Sequence, residues 1–521
     1  MNLPFGGGFF EGGKPKGKTK KKGGDSVGRQ EDAQVKIPAL IHLTRLGYRY
    51  LSRGEAIRDR ETNILPRELR AAAEEINGIT LSEEVFQALL EELRERLRAD
   101  DLGRSFLSCL RHSWRGLRLM DFDSPENNRF RVMTEVPCLG ENSRFRPDIT
   151  VFVNGLPLAL VEVKSPGEGN SLRTEYDRML ERAGKRELRS FINAAQIMVF
   201  SNDEESGGED LAPTRGAFYA TTAYDELSVQ PFREEEGEEL LRQLAPAKTE
   251  EVERILRDAH LDDGTKAEIL NAAAAAFCTQ GREGENSSET VPPSALSATQ
   301  RLLTSLLSPP RFVFFLRCGI SFQEEEENGR VRLRKQILRG EALTALRLLA
   351  DRMKRGQRDM TFAVAESGRA AFSAVLARFL AAEDAKGGPR AMFYLVKDAR
   401  RFPALRRELL RTGMRVQEVD DPADLSGAVR RAASRREGAP EDERGRMTLI
   451  RGDAAGDGSP PVFRAAGEAP VFFLDGYAEG YEADGTLSRA LRTALPEAVC
   501  IHFTAPRNEN LLFPAHWDKI K

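Results

Sequence analysis

Two acids and one lysine stand at a spacing that could support chemistry on a phosphate group. Asp148 precedes a strand-like run, an Asn-Gly pair follows at 154–155, and a second strand-like run ends in Glu162 and Lys164. Glu162 and Lys164 lie two residues apart on a predicted strand, so both face the same side of a sheet. The Asn-Gly pair between two such runs predicts a β-hairpin.

The register of this predicted hairpin decides whether the two acids meet. A three-residue loop over 154–156 pairs Val153 with Pro157 and therefore places Asp148 opposite Glu162. A two-residue loop would put the two carboxylates on opposite faces of the sheet. We therefore expect the three-residue loop.

Two carboxylates that lie close together repel each other unless a hard cation sits between them, and Mg²⁺ prefers such oxygen ligands. We expect Asp148 and Glu162 to bind Mg²⁺, with Mn²⁺ as a substitute. Lys164 would orient the attacking water or stabilise charge on the phosphate, and Arg144 and Arg146 would contact DNA phosphates. The pattern thus predicts phosphodiester hydrolysis, and the alternative is a hairpin whose charged face simply meets solvent.

This segment resembles the PD-(D/E)xK nuclease segment of the restriction (R, or HsdR) subunit of type I restriction-modification enzymes. Besides the acids and the lysine, the residues that carry the resemblance are Asn154-Gly155-Leu156-Pro157-Leu158, Asp121-Phe122, Asn127-Asn128-Arg129-Phe130 and Phe200-Ser201-Asn202-Asp203. The resemblance implies that Asp148 and Glu162 are the metal ligands and that Lys164 is the catalytic lysine. It also implies that Glu31, on the first predicted helix, is an auxiliary acid.

One feature of the family pattern is missing. The family places a Gln-x-x-x-Tyr pair on the helix after the catalytic lysine, whereas the comparable helix here runs from Tyr176 to Arg182 without that pair. This departure bears on cleavage efficiency and on the positioning of DNA.

The C-terminal half alternates strand-like and helix-like runs, which predicts an α/β domain with a largely parallel sheet. The resemblance extends weakly into this half and implies a RecA-like helicase lobe. In the phosphate-loop segment, Gly368 is followed by Arg369 in place of the lysine and by Ala370 in place of the hydroxyl ligand. Asp475 ends a strand without the glutamate that would activate water, so we expect no ATP binding and an inactive, pseudo-helicase lobe.

Composition divides the chain into four predicted segments. Residues 1–29 are a disordered basic Gly/Lys tail, 30–235 the nuclease domain, 236–305 a helical connector and linker with a boundary near 280–295, and 306–521 the degenerate RecA-like domain. The predicted fold class is α/β. A mixed sheet of the restriction-endonuclease type, flanked by helices, is followed by a RecA-like parallel lobe.

The overall composition excludes several classes of protein. The length of 521 residues allows two or three folding units, and a net charge of -3 leaves any DNA affinity to local basic patches. Five scattered cysteines indicate neither a disulfide framework nor a zinc site. No signal-peptide pattern and no run of about 18 apolar residues occurs, so we expect a cytoplasmic protein that does not enter the membrane.

These patterns and the resemblance predict a Mg²⁺-dependent DNA endonuclease of a type I restriction-like system for phage defence, with an inactive ATPase lobe. Its expected partners are DNA and the methylase and specificity subunits of a restriction complex. The alternative is a non-catalytic DNA-binding or scaffold relic of a restriction subunit that docks on the methylase/specificity complex. A solitary nuclease of the wider RecB-like group that acts in repair is a third reading.

Overall fold

The computed structural model describes residues 30–167, 171–205, 215–221, 229–231, 244–278, 296–327, 330–364, 366–383, 392–396, 398–411, 414–419, 446–451, 470–475, 495 and 497–504. The predicted basic tail at 1–29 and the predicted boundary near 280–295 lie outside the described residues. Within the described ranges the chain forms one large mixed sheet and one large parallel sheet, each with packed helices. The expectation of an α/β protein is therefore confirmed at this coarse level, while its assignment to the restriction-endonuclease and RecA-like types stays a prediction.

The mixed sheet is built from strands of the first half of the chain. In chain order, the strands of this half are β1 (Arg49–Tyr50), β2 (Phe130–Thr134), β3 (Cys138–Leu139), β4 (Arg144–Phe145), β5 (Ile149–Val153), β6 (Leu156–Val163), β7 (Ile197–Ser201), β8 (Ala217–Ala220) and β9 (Val229–Pro231). The sheet has the order β1-β2-β5-β6-β7-β8-β9, while β3 and β4 pair with each other as a small ribbon. β6 runs antiparallel to β5 and parallel to β7, so the predicted hairpin occupies the middle of the sheet.

Helices pack on both faces of the mixed sheet. They are α1 (Ile37–Arg45), α2 (Pro66–Asn77), α3 (Glu83–Arg98), α4 (Arg104–His112), α5 (Ser171–Ala183), α6 (Arg189–Ala194), α7 (Thr249–Asp258), α8 (Asp263–Cys278), α9 (Ala298–Leu307) and α10 (Pro309–Phe314). A π-helical turn, Asp32–Lys36, leads into α1, another, Phe315–Gly319, follows α10, and 3₁₀ turns lie at Pro125–Asn127 and Arg186–Leu188. Local signals mark the starts: proline stands at the first turn of α2, and the Ser82 hydroxyl accepts a hydrogen bond from the Val85 amide at the start of α3.

Alternation along β6 sends its side chains into two different cores. Val161 packs in the large core that also contains residues of α1, α3 and α9. Leu160 packs on the opposite face with Met179 of α5. Because side chains alternate along a strand, Glu162 shares the face of Leu160, and it is α5 that covers this face.

The helices after residue 244 belong to the same large core as the sheet. Leu302 of α9 and Val252 of α7 are buried in it. Between α1 and α9, the His42 Nε2 and Thr304 Oγ1 atoms are 2.6 Å apart, and the Tyr48 hydroxyl donates to the Leu307 carbonyl at 2.6 Å. The described part of the predicted connector therefore packs directly against the helices of the mixed sheet.

The second half of the described chain forms a hairpin and a parallel sheet. Its elements are β10 (Ile320–Glu327), β11 (Arg330–Ile337), α11 (Gly340–Lys354), β12 (Asp359–Ala363), α12 (Glu366–Glu383), β13 (Met392–Val396), a 3₁₀ turn (Ala399–Arg401), α13 (Phe402–Arg411), β14 (Arg415–Val419), β15 (Arg446–Arg451), β16 (Val471–Asp475) and β17 (Val499–Thr504). β10 and β11 pair antiparallel, and the sheet order is β12-β17-β16-β13-β15-β14. Every neighbouring pair in this sheet is parallel, which confirms the predicted parallel arrangement. In the described ranges, no helix combines the length and apolar character needed to cross a membrane.

Candidate functional site

The hairpin between β5 and β6 differs from the expected one at its tip. Val153 pairs with Leu156, so the connection is the two-residue turn Asn154-Gly155. The predicted three-residue loop is therefore wrong, and by the alternation argument alone the two acids would now lie on opposite faces.

A β-bulge restores the expected register farther along the hairpin. The pairing shifts by one residue at Phe152, and beyond this point Ile149 pairs with Val161. Continued by one residue, this register places Asp148 opposite Glu162. The bulge thus cancels the effect of the shorter loop, and the two acids meet as the sequence predicts.

The short turn is stabilised by contacts with distant parts of the chain. Asn154 and Gly155 both have positive φ angles, 52° and 77°, as a tight hairpin turn requires. The buried Asn154 side chain accepts from the Arg129 amide at 2.7 Å and donates to the Leu119 carbonyl at 2.9 Å. A Cβ atom on Gly155 would lie 2.6 Å from the Leu65 carbonyl oxygen, so no larger residue fits without a shift of the backbone.

Two residues that carry the family resemblance support this turn. Asn128 donates to the Asp121 carbonyl at 2.7 Å, and its side-chain oxygen accepts from Asn154 at 2.8 Å. The Asp121 carboxylate in turn accepts from the amides of Asp123 and Ser124, each at 3.0 Å. These residues position the hairpin and take no direct part in the candidate site.

The two acids differ in how their oxygens are satisfied. Asp148 lies just before β5, and its Oδ2 atom accepts from the Val163 amide at 2.9 Å. Glu162 is only 4% exposed, and its Oε1 atom has no hydrogen-bond partner among the described residues. A buried polar oxygen without a partner is costly, so this atom marks a place where a ligand is expected.

Lys164 and Glu31 complete a cluster of four charged groups. The Lys164 Nζ atom lies 3.9 Å from Asp148 Oδ2 and 3.5 Å from Glu31 Oε1, and it donates to the Val163 carbonyl at 2.7 Å. The Lys164 amide donates to the Ser201 carbonyl at 2.8 Å, which anchors the residue to β7. The structure therefore brings together the three predicted catalytic residues and the predicted auxiliary acid.

Glu175 is a further acid near the site that the sequence patterns did not single out. It lies on α5 and is buried, and its carboxylate accepts from Arg178 at 3.0 Å and from Arg182 at 2.8 Å. Its charge acts on both Glu162 and Lys164.

A signal for Glu175 was present in the helical spacing. Leu172 and Met179 form the buried side of α5, and a residue three positions after the first of them lies on the same side. The surrounding helix is rich in charged residues, which makes Glu175 look like one more solvent-exposed group in the sequence.

Burial and mutual repulsion shift the pKa values of the clustered groups. Burial, followed by the charges of Asp148 and Glu175, raises the pKa of Glu162 well above its usual value. Burial raises the pKa of Glu31 to about 7, with Asp148 adding to the rise and Lys164 opposing it. Burial alone would lower the pKa of Lys164, but the neighbouring acids outweigh it and raise that pKa, so the ammonium stays charged.

The oxygen donors fit a small hard cation. Asp148 and Glu162 meet where β5 begins and β6 ends. The Glu162 oxygen that has no partner among the described residues would gain one from such an ion. Mg²⁺ binds through one or two carboxylates and retains waters, which matches a pair of acids. Larger groups, of three or more His, Cys, Asp or Glu residues that could hold a metal, do not occur in the described part of the chain.

The two predicted DNA-binding arginines lie in different surroundings. Arg146 is exposed, and its guanidinium lies 3.5 Å from Glu135, which also contacts Lys36 at 3.2 Å. Arg144 is exposed on β4 and lines a cavity together with Arg178 and neighbouring residues of α5. The structure therefore does not join the two arginines into one contact.

The predicted degenerate nucleotide site is closed by an ion pair. Arg369 follows Gly368 on α12, and its guanidinium donates to Asp475 at 2.7 Å and to the Val364 carbonyl at 3.1 Å. Arg401 donates to the same Asp475 oxygen at 2.9 Å. Both Arg369 and Asp475 are buried, so the arginine that replaces the phosphate-loop lysine binds the acid at the end of β16.

Comparisons with known proteins find similarity in the first part of the chain. Residues 28–206 match the model of the type I restriction enzyme R protein N terminus. A segment of 95 residues is 34% identical to a protein of Methanocaldococcus jannaschii that is named as a type I restriction enzyme MjaIXP endonuclease subunit. That segment covers 18% of this chain and 9% of the relative, so the chain spans a small part of the relative's length.

A solved structure with a similar segment is the ATP-dependent Type ISP restriction-modification enzyme LlaBIII bound to DNA. The similarity covers 34% of this chain and 13% of that chain, with 14% sequence identity and a TM-score of 0.23. The family match and the curated relative agree with the resemblance seen in the motif residues. Residues 28–206 of this chain are therefore similar to the N termini of type I restriction enzyme R proteins.

Proposed function

We propose that this chain is a Mg²⁺-dependent DNA endonuclease of the PD-(D/E)xK type that serves a type I restriction-like phage defence system. The observation that carries the proposal is the meeting of Asp148, which lies just before β5, with the buried Glu162 of β6. One Glu162 oxygen has no partner among the described residues, and Lys164 lies beside Asp148. The family of residues 28–206 supports a restriction-like nuclease function for this region. DNA is the proposed substrate, and methylase and specificity subunits are proposed partners in the cytoplasm.

Asp148 and Glu162 would hold the cation, and Mn²⁺ would substitute for Mg²⁺. When bound, the metal would supply Lewis-acid activation of water and charge neutralisation at the phosphate. The hydrogen bond from the Val163 amide keeps the Asp148 carboxylate oriented toward this position. The apolar core on the opposite face of β6, which includes Val161 and Val163, holds in place the strand that carries Glu162.

Lys164 would act on the phosphate of the scissile bond. Its ammonium is charged and lies between Asp148 and Glu31, so it can donate a hydrogen bond to a phosphate oxygen that gains negative charge during the attack of water. Glu31 would hold the ammonium in place without contacting the substrate. This assignment makes Glu31 a positioning residue.

The test is nicking of supercoiled plasmid by the purified chain in Mg²⁺ or Mn²⁺, without ATP. We expect nicking by the wild-type chain, no nicking in excess EDTA, and a rate about 10²–10³-fold lower for Lys164→Ala. Lys248→Ala is the matched control because Lys248 is exposed at the start of α7. Equal nicking by the two variants would refute the assigned role of Lys164.

Failure of the wild-type chain to nick DNA would favour the scaffold alternative. The assay is then repeated with added methylase and specificity subunits of a type I restriction complex. Binding to that complex without any metal-dependent cleavage would identify a non-catalytic relic of a restriction subunit.

We also propose that the parallel sheet is a RecA-like lobe that no longer binds ATP. The support is the ion pair of Arg369 with Asp475, which occupies the end of the strands where parallel α/β domains bind ligands. Equilibrium dialysis with labelled ATP and Mg²⁺ tests this proposal. We expect no retention of ATP, and saturable binding at micromolar ATP would contradict the assignment.

A further inference from the structure

A basic cavity lies beside the candidate active site. We propose that it binds one phosphate group of the DNA strand and so anchors the substrate, an inference that rests on the proposed nuclease function. The cavity has a volume of about 360 Å³ and is lined by Asn142, Ser143, Arg144, Arg178, Glu181, Arg182, Lys185 and Leu188. It lies between the turn that joins β3 to β4 and the C-terminal half of α5.

Positive charge exceeds negative charge in this cavity. Its lining contains three arginines and a lysine but a single acid, Glu181, which pairs with Lys185 at 2.8 Å. Arg178 and Arg182 share the carboxylate of Glu175, which lies beneath them and is not part of the lining. Two guanidinium groups on one carboxylate leave donors that can reach a second anion.

Arg144 supplies a cation without a competing acid. It is exposed on β4 and has no ion pair with any of the described residues. The turn that carries it is held in place because the Asn142 amide donates to the Glu187 carboxylate at 2.7 Å. A free guanidinium on a fixed turn, facing further cations across a cavity, is a suitable seat for phosphate.

The arginines of α5 are pre-organised for this role. The guanidinium of Arg182 lies 5.3 Å from the centre of the Phe145 ring, and Glu175 holds the same group at 2.8 Å. These contacts reduce the side-chain entropy that would be lost when an anion binds. The chemistry therefore favours a phosphate oxygen, which accepts hydrogen bonds from planar guanidinium groups in pairs.

Arg182 and Glu175 connect the cavity with the catalytic acids. Burial raises the pKa of Glu162, and the charges of Asp148 and Glu175 add to the rise. The charge of Arg182 opposes this rise, so Arg182 lies within electrostatic range of Glu162. Cys138 of β3 also lies within electrostatic range of both Glu162 and Arg182. A strand whose scissile phosphate reaches Lys164 would thus place another of its phosphates near this cavity.

The test compares binding of fluorescent duplex DNA by proteins that all contain Lys164→Ala, so that the DNA is not cut. One protein adds Arg144→Ala and Lys185→Ala, and the matched control adds Arg67→Ala, because Arg67 is exposed on α2. We expect the double change to weaken binding roughly tenfold and to reduce the slope of log K against log salt by about 1. Arg67→Ala should leave both quantities unchanged.

Two further arms make the outcome specific. Arg144→Glu alone disturbs no ion pair of the described residues and repeats the test if the double variant fails to fold. Duplexes with 5′-hydroxyl and with 5′-phosphate ends distinguish the source of the phosphate. An equal loss for both duplexes identifies an internal phosphodiester, and a loss confined to the phosphorylated ends identifies a terminal phosphate.

Unchanged affinity and salt slope in both cavity variants would overturn the inference. Plasmid nicking by the otherwise wild-type chain is measured separately, so the nuclease proposal can stand while the phosphate anchor fails. If the Lys164→Ala parent binds no duplex at all, the anchor is also refuted.

Discussion

The mixed sheet and the parallel sheet both bury charged groups at the end of a strand, and they treat these charges in opposite ways. In the mixed sheet, Glu162 at the end of β6 has an oxygen without a partner among the described residues, and it stands next to a second acid. In the parallel sheet, Asp475 at the end of β16 is bound by Arg369 and by Arg401. One strand end brings two acids together and leaves a buried oxygen without a partner among the described residues, whereas the other pairs its acid with arginines of the chain.

The difference teaches how to recognise a binding site among buried charges. A buried group with unmet hydrogen-bonding capacity costs free energy, and that cost is removed when a ligand binds. A buried ion pair already has its partner, so a ligand would have to displace the pair. Substitutions at the two strand ends should therefore have opposite effects on stability.

The largest expected effect on stability is at the end of β16, where Arg369 pairs with Asp475. Arg369→Met removes the main partner of the buried Asp475 and should lower the free energy of unfolding of the parallel sheet by about 3–5 kcal/mol. Chemical denaturation combined with hydrogen exchange of the β16 amides measures the loss. Arg355→Met is the control, since that exposed ion pair with Asp351 contributes at most about 1 kcal/mol. A variant as stable as the wild-type chain would mean that the pair does not close the site.

Substitution of Asp148, next to the strand end that carries Glu162, should lower the rate of DNA cleavage. Asp148→Asn keeps the shape of the side chain but removes the charge that would hold the cation, so plasmid nicking should fall about 10²–10³-fold. The exposed Asp351→Asn serves as a matched control and should cleave like the wild-type chain. If Asp148→Asn retains full activity, the acid pair is not the metal site.

Glu162→Gln should stabilise the metal-free protein. Burial, followed by the charges of Asp148 and Glu175, raises the pKa of Glu162, so ionisation is less favourable in the folded chain than in the unfolded one. The wild-type chain therefore loses stability as the pH rises above the usual carboxyl range, and Glu162→Gln should recover about 1–3 kcal/mol at neutral pH.

Metal binding should favour the stability of the wild-type chain over that of Glu162→Gln. Mg²⁺ should raise the melting temperature of the wild-type chain, because a ligand that binds only the folded state stabilises it. The same addition should leave the melting temperature of Glu162→Gln nearly unchanged. Glu268→Gln, at an exposed position of α8, should behave like the wild-type chain. If Mg²⁺ raises the melting temperature of Glu162→Gln as much as that of the wild-type chain, Glu162 is not a ligand of the metal.

Sequence patterns are sufficient to predict the elements that depend on local spacing. Alternation predicts the two strands of the hairpin, and the Asn-Gly pair predicts the turn between them. The meeting of Asp148 with Glu162 was also predicted, although through the wrong loop. It holds because the extra residue of the bulge, Leu158 on β6 opposite the step between Val151 and Phe152, compensates for the missing loop residue.

The features that the sequence did not reveal depend on contacts between distant segments. The two-residue turn packs against a distant segment, since a Cβ atom on Gly155 would lie 2.6 Å from the Leu65 carbonyl oxygen. The role of Glu175 depends on how deeply α5 packs on the sheet. Substitution of Arg369 for lysine suggested a lost nucleotide site, but its partner, Asp475, becomes visible only when the parallel strands are aligned.

The mixed-sheet region also contains a buried group that should respond to pH in the opposite direction from Glu162. His42 is buried between α1 and α9, and burial, with a contribution from Arg45, lowers the pKa of its imidazole to about 3. The imidazole is therefore neutral in the folded chain, where Nε2 lies 2.6 Å from the Thr304 hydroxyl oxygen. In the unfolded chain it takes up a proton below a pH of about 6.5.

Stability of this region should therefore fall as the pH decreases from about 6.5 toward 4.5, by up to about 1.4 kcal/mol per pH unit. The sign follows because the unfolded chain binds one more proton than the folded chain in this range. Denaturation curves of wild-type and His42→Gln proteins, both in the Glu162→Gln background, isolate the effect. The slope of the free energy of unfolding against pH should be smaller in the His42→Gln protein by the contribution of one histidine. Equal slopes would mean that His42 is accessible to protons in the folded chain, and the helices after residue 244 would then not be packed on α1 as tightly as the hydrogen bond to Thr304 indicates.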